Sequence, residues 1–222
     1  MPRPGEISLA HNGVLFLDEL PEFRRTALEV LRQPLEDGMV TLSRSRFTVS
    51  YPSRFMLVAS MNPSPDGDWY DPDDPGSARP EQIQNYFSKV SGPLMDRIDI
   101  HVEVRKVNYE DVAQTAPAER SETIRERVID ARERQKRRFK KAPNVFCNAQ
   151  MNTRLVRVVC KIDEAGSHLL KKAMHHLGLS ARAYDRILKV SRTIADLDKS
   201  EQIKAHHIAE AVQYRSLDRD IV

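Results

Sequence analysis

The chain has 222 residues, 40% of them hydrophobic, which is enough for one large domain or two small ones with a real core. The net charge of +3 permits binding to nucleic acid or phosphates but does not establish it. Two cysteines are too few for a disulfide framework. The sequence shows no secretory signal and no apolar run of roughly 20 residues, so we expect a cytoplasmic protein that does not contact membranes.

The first predicted element is a short buried strand that ends at two carboxylates. Val14–Leu17 is a run of four large apolar residues, typical of a buried parallel strand, and Asp18 and Glu19 follow it. Open α/β sheets bind ligands at the carboxyl ends of their strands. An acidic pair there suits nucleotide hydrolysis, because one carboxylate holds Mg²⁺ and the other activates the attacking water. The same pair serves equally well as a helix cap, because Pro21 suits a first helical turn.

A helix and a β-hairpin are predicted next. Residues 22–35 place apolar side chains on one face, which predicts a helix. Residues 39–50 alternate between apolar and polar around a basic tip, which predicts a hairpin. Arg44 and Arg46 at this tip are the candidates for contacting nucleic acid.

A second, near-continuous apolar strand is predicted at residues 54–61, directly before Asn62. An amide beside the acidic pair is suited to orienting the attacking water, although Asn-Pro is also an ordinary turn former. A loop, a helix and a third strand follow, at 64–80, 81–90 and 98–104. Arg97 precedes the third strand, where it is suited either to reach a phosphate in a neighbouring subunit or to pair with a nearby aspartate.

The composition becomes helical near residue 105. Five helices are predicted, at about 121–141, 152–163, 165–177, 180–197 and 205–217. Asn152 and Ser180 are predicted N-caps, and Arg182 opens the fourth of these helices. The histidine doublets at 175–176 and 206–207 do not predict a metal site, because adjacent residues point to different faces of a helix.

The phosphate-binding loop G-x-x-x-x-G-K-[ST] has no counterpart, because no glycine in the chain is followed by lysine. That loop supplies the backbone N–H groups and the lysine that hold the phosphates of a nucleotide. We therefore expect no measurable ATP hydrolysis and only weak nucleotide binding from this chain alone.

Six stretches together match a known family. They are Pro4–Pro21, Leu31–Gly38, Gly92–Asp99, Leu179–Tyr184, Thr193–Leu197 and Ala211–Arg215. On these stretches the chain resembles the AAA+ ATPases, and specifically the magnesium-chelatase-like YifB/ComM family, over nearly its whole length. The resemblance implies an α/β fold class: a partial AAA+ core with parallel strands and a pre-sensor-1 hairpin at 1–107, a linker at 108–120, and an all-α lid at 121–222.

The resemblance also implies roles for five side chains. Asp18 and Glu19 correspond to the Walker B pair, with Asp18 toward Mg²⁺ and Glu19 as the base that activates water. Asn62 corresponds to sensor 1. Arg97 corresponds to the arginine finger that acts on ATP held by the adjacent subunit, and Arg182 to the sensor 2 arginine of the lid.

The family implies a ring, expected to be a hexamer, that uses ATP and Mg²⁺ to remodel DNA by branch migration during recombination of incoming DNA. Two alternatives stay open: a motor that drives metal insertion into a tetrapyrrole, and an assembly module without catalytic activity. Members commonly carry a cysteine cluster after the sensor 1 Asn-Pro; residues 64–80 contain no cysteine, so no zinc is expected.

Family members also have an N-terminal protease-like domain and the phosphate loop before the region matched here. We therefore expect a C-terminal fragment in which the strand at 98–104 has lost its neighbour and is distorted, poorly ordered or oligomerised. A five-stranded sheet within one copy of the chain would contradict this expectation.

Overall fold

The computed structural model describes residues 3–44, 47–67, 77–104 and 119–215. These residues divide into two compact units, one ending at Ile98 and one beginning at Asp99. The first unit mixes short strands with short helices, and the second is helical. This architecture confirms the α/β class with a small parallel sheet followed by a helical part. The domain bounds at 107 and 121 stay predictions, since most of the linker lies outside the described residues.

The sheet of the first unit pairs two parallel strands, β1 (Val14–Leu17) and β4 (Met56–Ala59). Both strands form where the apolar runs predict them, but the expectation that β1 is fully buried is wrong. Its side chains alternate, so that Phe16 is 59% exposed while Leu15 and Leu17 pack on the core. The reason is that an unbroken apolar run indicates two covered faces, and only one face is covered among the described residues.

The predicted hairpin is confirmed as β2 (Met39–Arg44) and β3 (Phe47–Pro52), which pair antiparallel. Gly38 begins the hairpin with a φ of 66°, a left-handed conformation that glycine adopts without steric cost. Of the two predicted nucleic-acid contacts at the tip, Arg46 lies outside the described residues and only the backbone of Arg44 is described.

The helices of the first unit are short: α1 (Glu6–Leu9), α2 (Arg25–Val30), α3 (Arg32–Asp37), α4 (Pro80–Ser88) and α5 (Gly92–Met95). The single helix predicted at 22–35 is wrong, because the chain breaks between α2 and α3. Pro34 explains the break, since a proline ring clashes with the carbonyl four residues earlier, here that of Val30, where α2 ends. The apolar core of this unit consists of Leu20, Leu28, Leu31, Val90, Leu94 and Met95.

The strand predicted at residues 98–104 is also wrong. No strand is formed by these described residues, and Val102 and Val104 are 65% and 79% exposed. A strand exists only when another strand pairs with it, and none of the described strands lies beside this segment. The segment makes backbone hydrogen bonds outside any sheet: the N–H of Ile98 donates to the carbonyl oxygen of Met95 at 3.0 Å, and the N–H of His101 donates to that of Tyr214 at 2.8 Å.

All five predicted helices of the second unit are confirmed. They are α6 (Ser121–Arg138), α7 (Thr153–Val159), α8 (Glu164–Leu177), α9 (Ala181–Leu197) and α10 (Ala205–Gln213). The predicted caps form as well: the N–H of Leu155 donates to Asn152 Oδ1 at 2.9 Å, and the N–H of Ala183 donates to Ser180 Oγ at 3.2 Å. Among the helices that the structure describes, none is long and apolar enough to cross a bilayer.

A polar network is buried beside the apolar core of the second unit. Asp196, on α9, is completely buried and accepts hydrogen bonds from both Nη atoms of Arg138, the one from Nη1 measuring 2.7 Å. Asn148 Nδ2 donates to the same carboxylate at 2.8 Å, and Arg192 Nη2 lies 3.2 Å from it. The network therefore fixes α9, which carries Arg182 in its first turn, against the end of α6.

Candidate functional site

The parallel pair β1–β4 brings Asp18 and Ser60 together at its carboxyl edge. Ser60 Oγ donates a hydrogen bond to Asp18 Oδ1, and the backbone N–H of Glu19 donates to the same oxygen at 3.1 Å. The strand register sets this contact, because the N–H of Ser60 also donates to the carbonyl oxygen of Leu17 at 3.0 Å. Two strand ends that are adjacent only in the folded chain thus supply one oxygen-rich, solvent-exposed edge.

Glu19 occupies a backbone conformation that few residues adopt. Its φ and ψ are both 52°, in the left-handed region, and this conformation is costly for a residue other than glycine. This residue leads into a 3₁₀ turn at Leu20–Glu22. Glu19 makes no side-chain capping hydrogen bond to that turn. Its carboxylate is therefore not used in the capping role that the alternative interpretation assigned to the pair.

Asn62 follows Ser60 by two residues and is exposed. Tyr86, on α4, is 5% exposed and makes a hydrogen bond with the backbone of Asn62. Burial raises the pKa of Tyr86, and this hydrogen bond opposes the rise. Helix α4 therefore anchors the segment that carries Asn62 just beyond the carboxyl end of β4.

Arg97 is buried, which differs from the exposed turn that the sequence predicts. Its Nη1 donates to the carbonyl oxygen of Pro93 at 2.6 Å, and its Nη2 forms an ion pair with Glu36. Of the two nearby aspartates, Asp96 and Asp99, that the sequence offers as partners of Arg97, Asp99 forms an ion pair with Arg186.

Arg182 lies in the first turn of α9 and is exposed. It belongs to the second unit, whereas Asp18, Glu19, Asn62 and Arg97 belong to the first. The structure brings Asp18 and Glu19 together with Ser60, a contact that sequence reasoning missed. The available signal was the hydroxyl residue directly after the second apolar strand.

The donor set at the carboxyl edge fits Mg²⁺. Carboxylate and hydroxyl oxygens are the ligands that this ion prefers, and Mg²⁺ commonly keeps several waters while it binds one or two carboxylates. Asp18 and Glu19 are both exposed, which leaves room for such a hydrated ion. The hydrogen bond from Ser60 fixes the orientation of the Asp18 carboxylate, as hydrogen bonds to metal-binding side chains do in general.

A second group of potential ligands, Asp198, His206 and His207, lies within 4.8 Å in the part of the chain that the structure describes. The N–H of Lys204 donates to His207 Nδ1 at 3.0 Å, so the neutral ring carries its proton on Nε2, which faces Asp198 Oδ2 at 3.0 Å. A metal would need that Nε2 lone pair. The group instead stabilises the start of α10, and the hydrogen bond with His207 is the main reason that the pKa of Asp198 is lowered.

The sequence matches two family models in succession. The model "Magnesium chelatase, subunit ChlI" matches residues 1–112, and its C-terminal counterpart matches residues 118–215. The chain is 46% identical over 223 residues to the uncharacterized protein YifB of Escherichia coli and 47% identical over 220 residues to the competence protein ComM of Haemophilus influenzae. These matches cover 100% and 99% of the chain.

More distant similarity reaches the magnesium-chelatase subunit ChlI of Synechocystis, with 26% identity over 196 residues, or 88% of the chain. The chain spans less than half the length of the curated relatives it matches, 43% for YifB and 42% for ComM and ChlI. The two consecutive family models and the partial α/β core followed by a helical unit lead to one conclusion: the chain belongs to the magnesium-chelatase-like AAA+ family.

Proposed function

We propose that this chain forms the hydrolytic half of an ATP-driven ring that remodels DNA, and that the missing phosphate loop comes from the remainder of a longer polypeptide. The observation that carries the proposal is the carboxyl edge of β1–β4, where Ser60 orients Asp18 and the next residue, Glu19, is exposed in a left-handed backbone conformation. Two exposed carboxylates at this edge suit two tasks, ion binding and water activation.

In this proposal each side chain has one task. Ser60 and the N–H of Glu19 both donate to Asp18 Oδ1 and fix the orientation of the carboxylate that would hold a hydrated Mg²⁺. When bound, Mg²⁺ supplies charge neutralisation at the phosphates of ATP. Glu19 accepts a proton from the attacking water, and Asn62 orients that water. Arg97 serves the ATP of the adjacent copy, as an arginine finger does.

The lid and the hairpin complete the proposal. Arg182, at the exposed start of α9, contacts the phosphates from the helical unit. Arg44 and Arg46, at the tip of the β2–β3 hairpin, contact the DNA backbone inside the ring. A closed ring, for which we propose six copies, gives every nucleotide one neighbour that supplies Arg97.

DNA is the favoured substrate because the relative with 47% identity is named a competence protein, and competence is the uptake of external DNA. The alternative substrate is a tetrapyrrole that receives a metal, which the name of the ChlI relative favours. The identity to ChlI is only 26%, so this alternative ranks second.

The test is ATP hydrolysis by the longer protein with and without single-stranded or branched DNA. We expect DNA to stimulate hydrolysis, and we expect alanine at both Arg44 and Arg46 to weaken the stimulation. Alanine at the exposed pair Lys171 and Lys172 on α8 is the matched control and should preserve it. Stimulation by a tetrapyrrole and not by DNA would favour the chelatase alternative, and hydrolysis indifferent to both would contradict the proposal.

A further inference from the structure

Arg97 is held in a withdrawn position. Its side chain is 6% exposed, and the guanidinium is occupied by the carbonyl oxygen of Pro93 at 2.6 Å and by the carboxylate of Glu36. An arginine that serves the nucleotide of a neighbouring copy must extend from the surface of its own subunit. The position of Arg97 is therefore incompatible with that task until the contact with Glu36 is broken.

A second contact holds the same segment. Ser91 Oγ, just before α5, donates to Glu29 on α2, and Arg32 Nη1 on α3 donates to the other oxygen of Glu29 at 2.6 Å. The hydrogen bond from Ser91 is the main reason that the pKa of Glu29 is lowered. Two carboxylates on consecutive helices thus hold the two ends of the segment from Ser91 to Arg97 against α2 and α3.

Glu36 is connected to the hairpin through the backbone of the end of α3. It lies in the last turn of α3, and the N–H of Gly38 donates to the carbonyl oxygen of Pro34 at 2.9 Å to end that helix. The N–H of Ser53 then donates to the carbonyl oxygen of Gly38 at 2.8 Å and closes the base of the hairpin. A displacement of the hairpin base therefore moves the last turn of α3 and the carboxylate of Glu36.

We propose that Glu36 is a positioning residue that withholds Arg97 until the hairpin is displaced by bound DNA. This inference rests on the proposed function, since it takes the hairpin as the DNA contact and Arg97 as the finger. The side chain of Glu36 is 46% exposed, so water solvates its charge when the pair opens. Arg97 then exchanges one anion for another, a carboxylate in its own subunit for a phosphate in the neighbour, and is never left buried without a counter-charge.

Chemical modification of arginine tests the restraint on the 222-residue chain itself. Phenylglyoxal reacts with exposed guanidinium groups, and peptide mass spectrometry gives the rate at each arginine. We expect Glu36→Gln to raise the rate at Arg97 by a factor of about 5 to 30, the range that corresponds to losing about 1–2 kcal/mol of restraint. Glu36→Asp retains the charge and should give a smaller increase. Circular dichroism verifies that both variants are folded.

The controls use other ion pairs of the chain. Glu22→Gln removes the exposed partner of Lys89 in the same unit and should leave the rate at Arg97 unchanged. Arg138, paired with the buried Asp196, should stay protected in every variant. An Arg97 that reacts at the same rate in the wild type and in Glu36→Gln would overturn the inference.

Hydrolysis by the longer protein separates this inference from the function on which it rests. Glu36→Gln should raise the rate without DNA and reduce the factor by which DNA stimulates it, whereas Arg97→Ala should lower both rates. A wild type that hydrolyses no ATP would contradict the proposed function and leave the modification result intact. A wild type stimulated by DNA, with Glu36→Gln identical to it, would overturn the role of Glu36 alone.

Discussion

Replacing Glu19 by glutamine is expected to lower the turnover number for ATP by about 10²–10⁴-fold, the range lost when a general base is removed. The amide keeps the shape of the side chain but cannot accept a proton from water. Because Asp18 and its hydrogen bond from Ser60 are unaffected, the affinity for Mg²⁺ and ATP should change little. Steady-state hydrolysis and nucleotide titration of the longer protein measure the two quantities separately.

Glu22→Gln is the control for this prediction. Glu22 lies three residues farther along, in the 3₁₀ turn, and its exposed carboxylate pairs with Lys89 at 3.2 Å. An exposed ion pair contributes about 0–1 kcal/mol to stability, and this one lies away from the edge formed by Asp18 and Ser60. Equal loss of activity in both variants, or undiminished turnover in Glu19→Gln, would contradict the assignment of Glu19 as the base.

Replacing Asp196 by alanine is expected to lower the free energy of unfolding of the second unit by about 3–5 kcal/mol, the cost of removing one partner from a buried ion pair. Asp196 is completely buried between Arg138 and Arg192, and its loss leaves both guanidinium groups without this carboxylate. Asn148 loses an acceptor at 2.8 Å as well. Urea unfolding of the 222-residue chain, followed by circular dichroism, measures the change.

The matched control for Asp196→Ala is Asp130→Ala. Asp130 forms an exposed ion pair with Lys199 at 2.9 Å in the same unit, so its removal should change the free energy of unfolding far less than the removal of Asp196. A loss below about 1 kcal/mol for Asp196→Ala would show that the buried network does not hold α9 in place.

The second unit could be predicted closely from the sequence because its signals are local. Asn152 and Ser180 accept hydrogen bonds from N–H groups three residues later, so cap and helix lie in one short stretch of sequence. One helix prediction failed although its signal was also local. Pro34 indicates the break between α2 and α3, but the prediction of a single helix at 22–35 followed the apolar face of those residues instead.

A strand depends on a partner that is distant in the sequence, and the sequence alone was not sufficient to predict every strand correctly. The alternation at 98–104 is typical of a strand, yet no described strand lies beside it. Within the site, Asp18 and Glu19 were recognisable from their place after an apolar run. The contacts of Asp18 with Ser60 and of Arg97 with Glu36 join residues 42 and 61 positions apart, and only the tertiary packing decides such pairs.

In the proposed ring each catalytic site lies between two copies, with Glu19 from one and Arg97 from its neighbour, and this arrangement leads to a direct test. Glu19→Gln and Arg97→Ala chains of the longer protein are each expected to be inactive alone.

ATP hydrolysis by rings mixed from the two inactive variants tests the shared site most directly. When the chains mix at random, about a quarter of the interfaces combine an intact Glu19 with an intact Arg97, and we expect a corresponding fraction of the wild-type rate to return. A mixture as inactive as its components, although both variants assemble into the same rings, would contradict a site shared between neighbours.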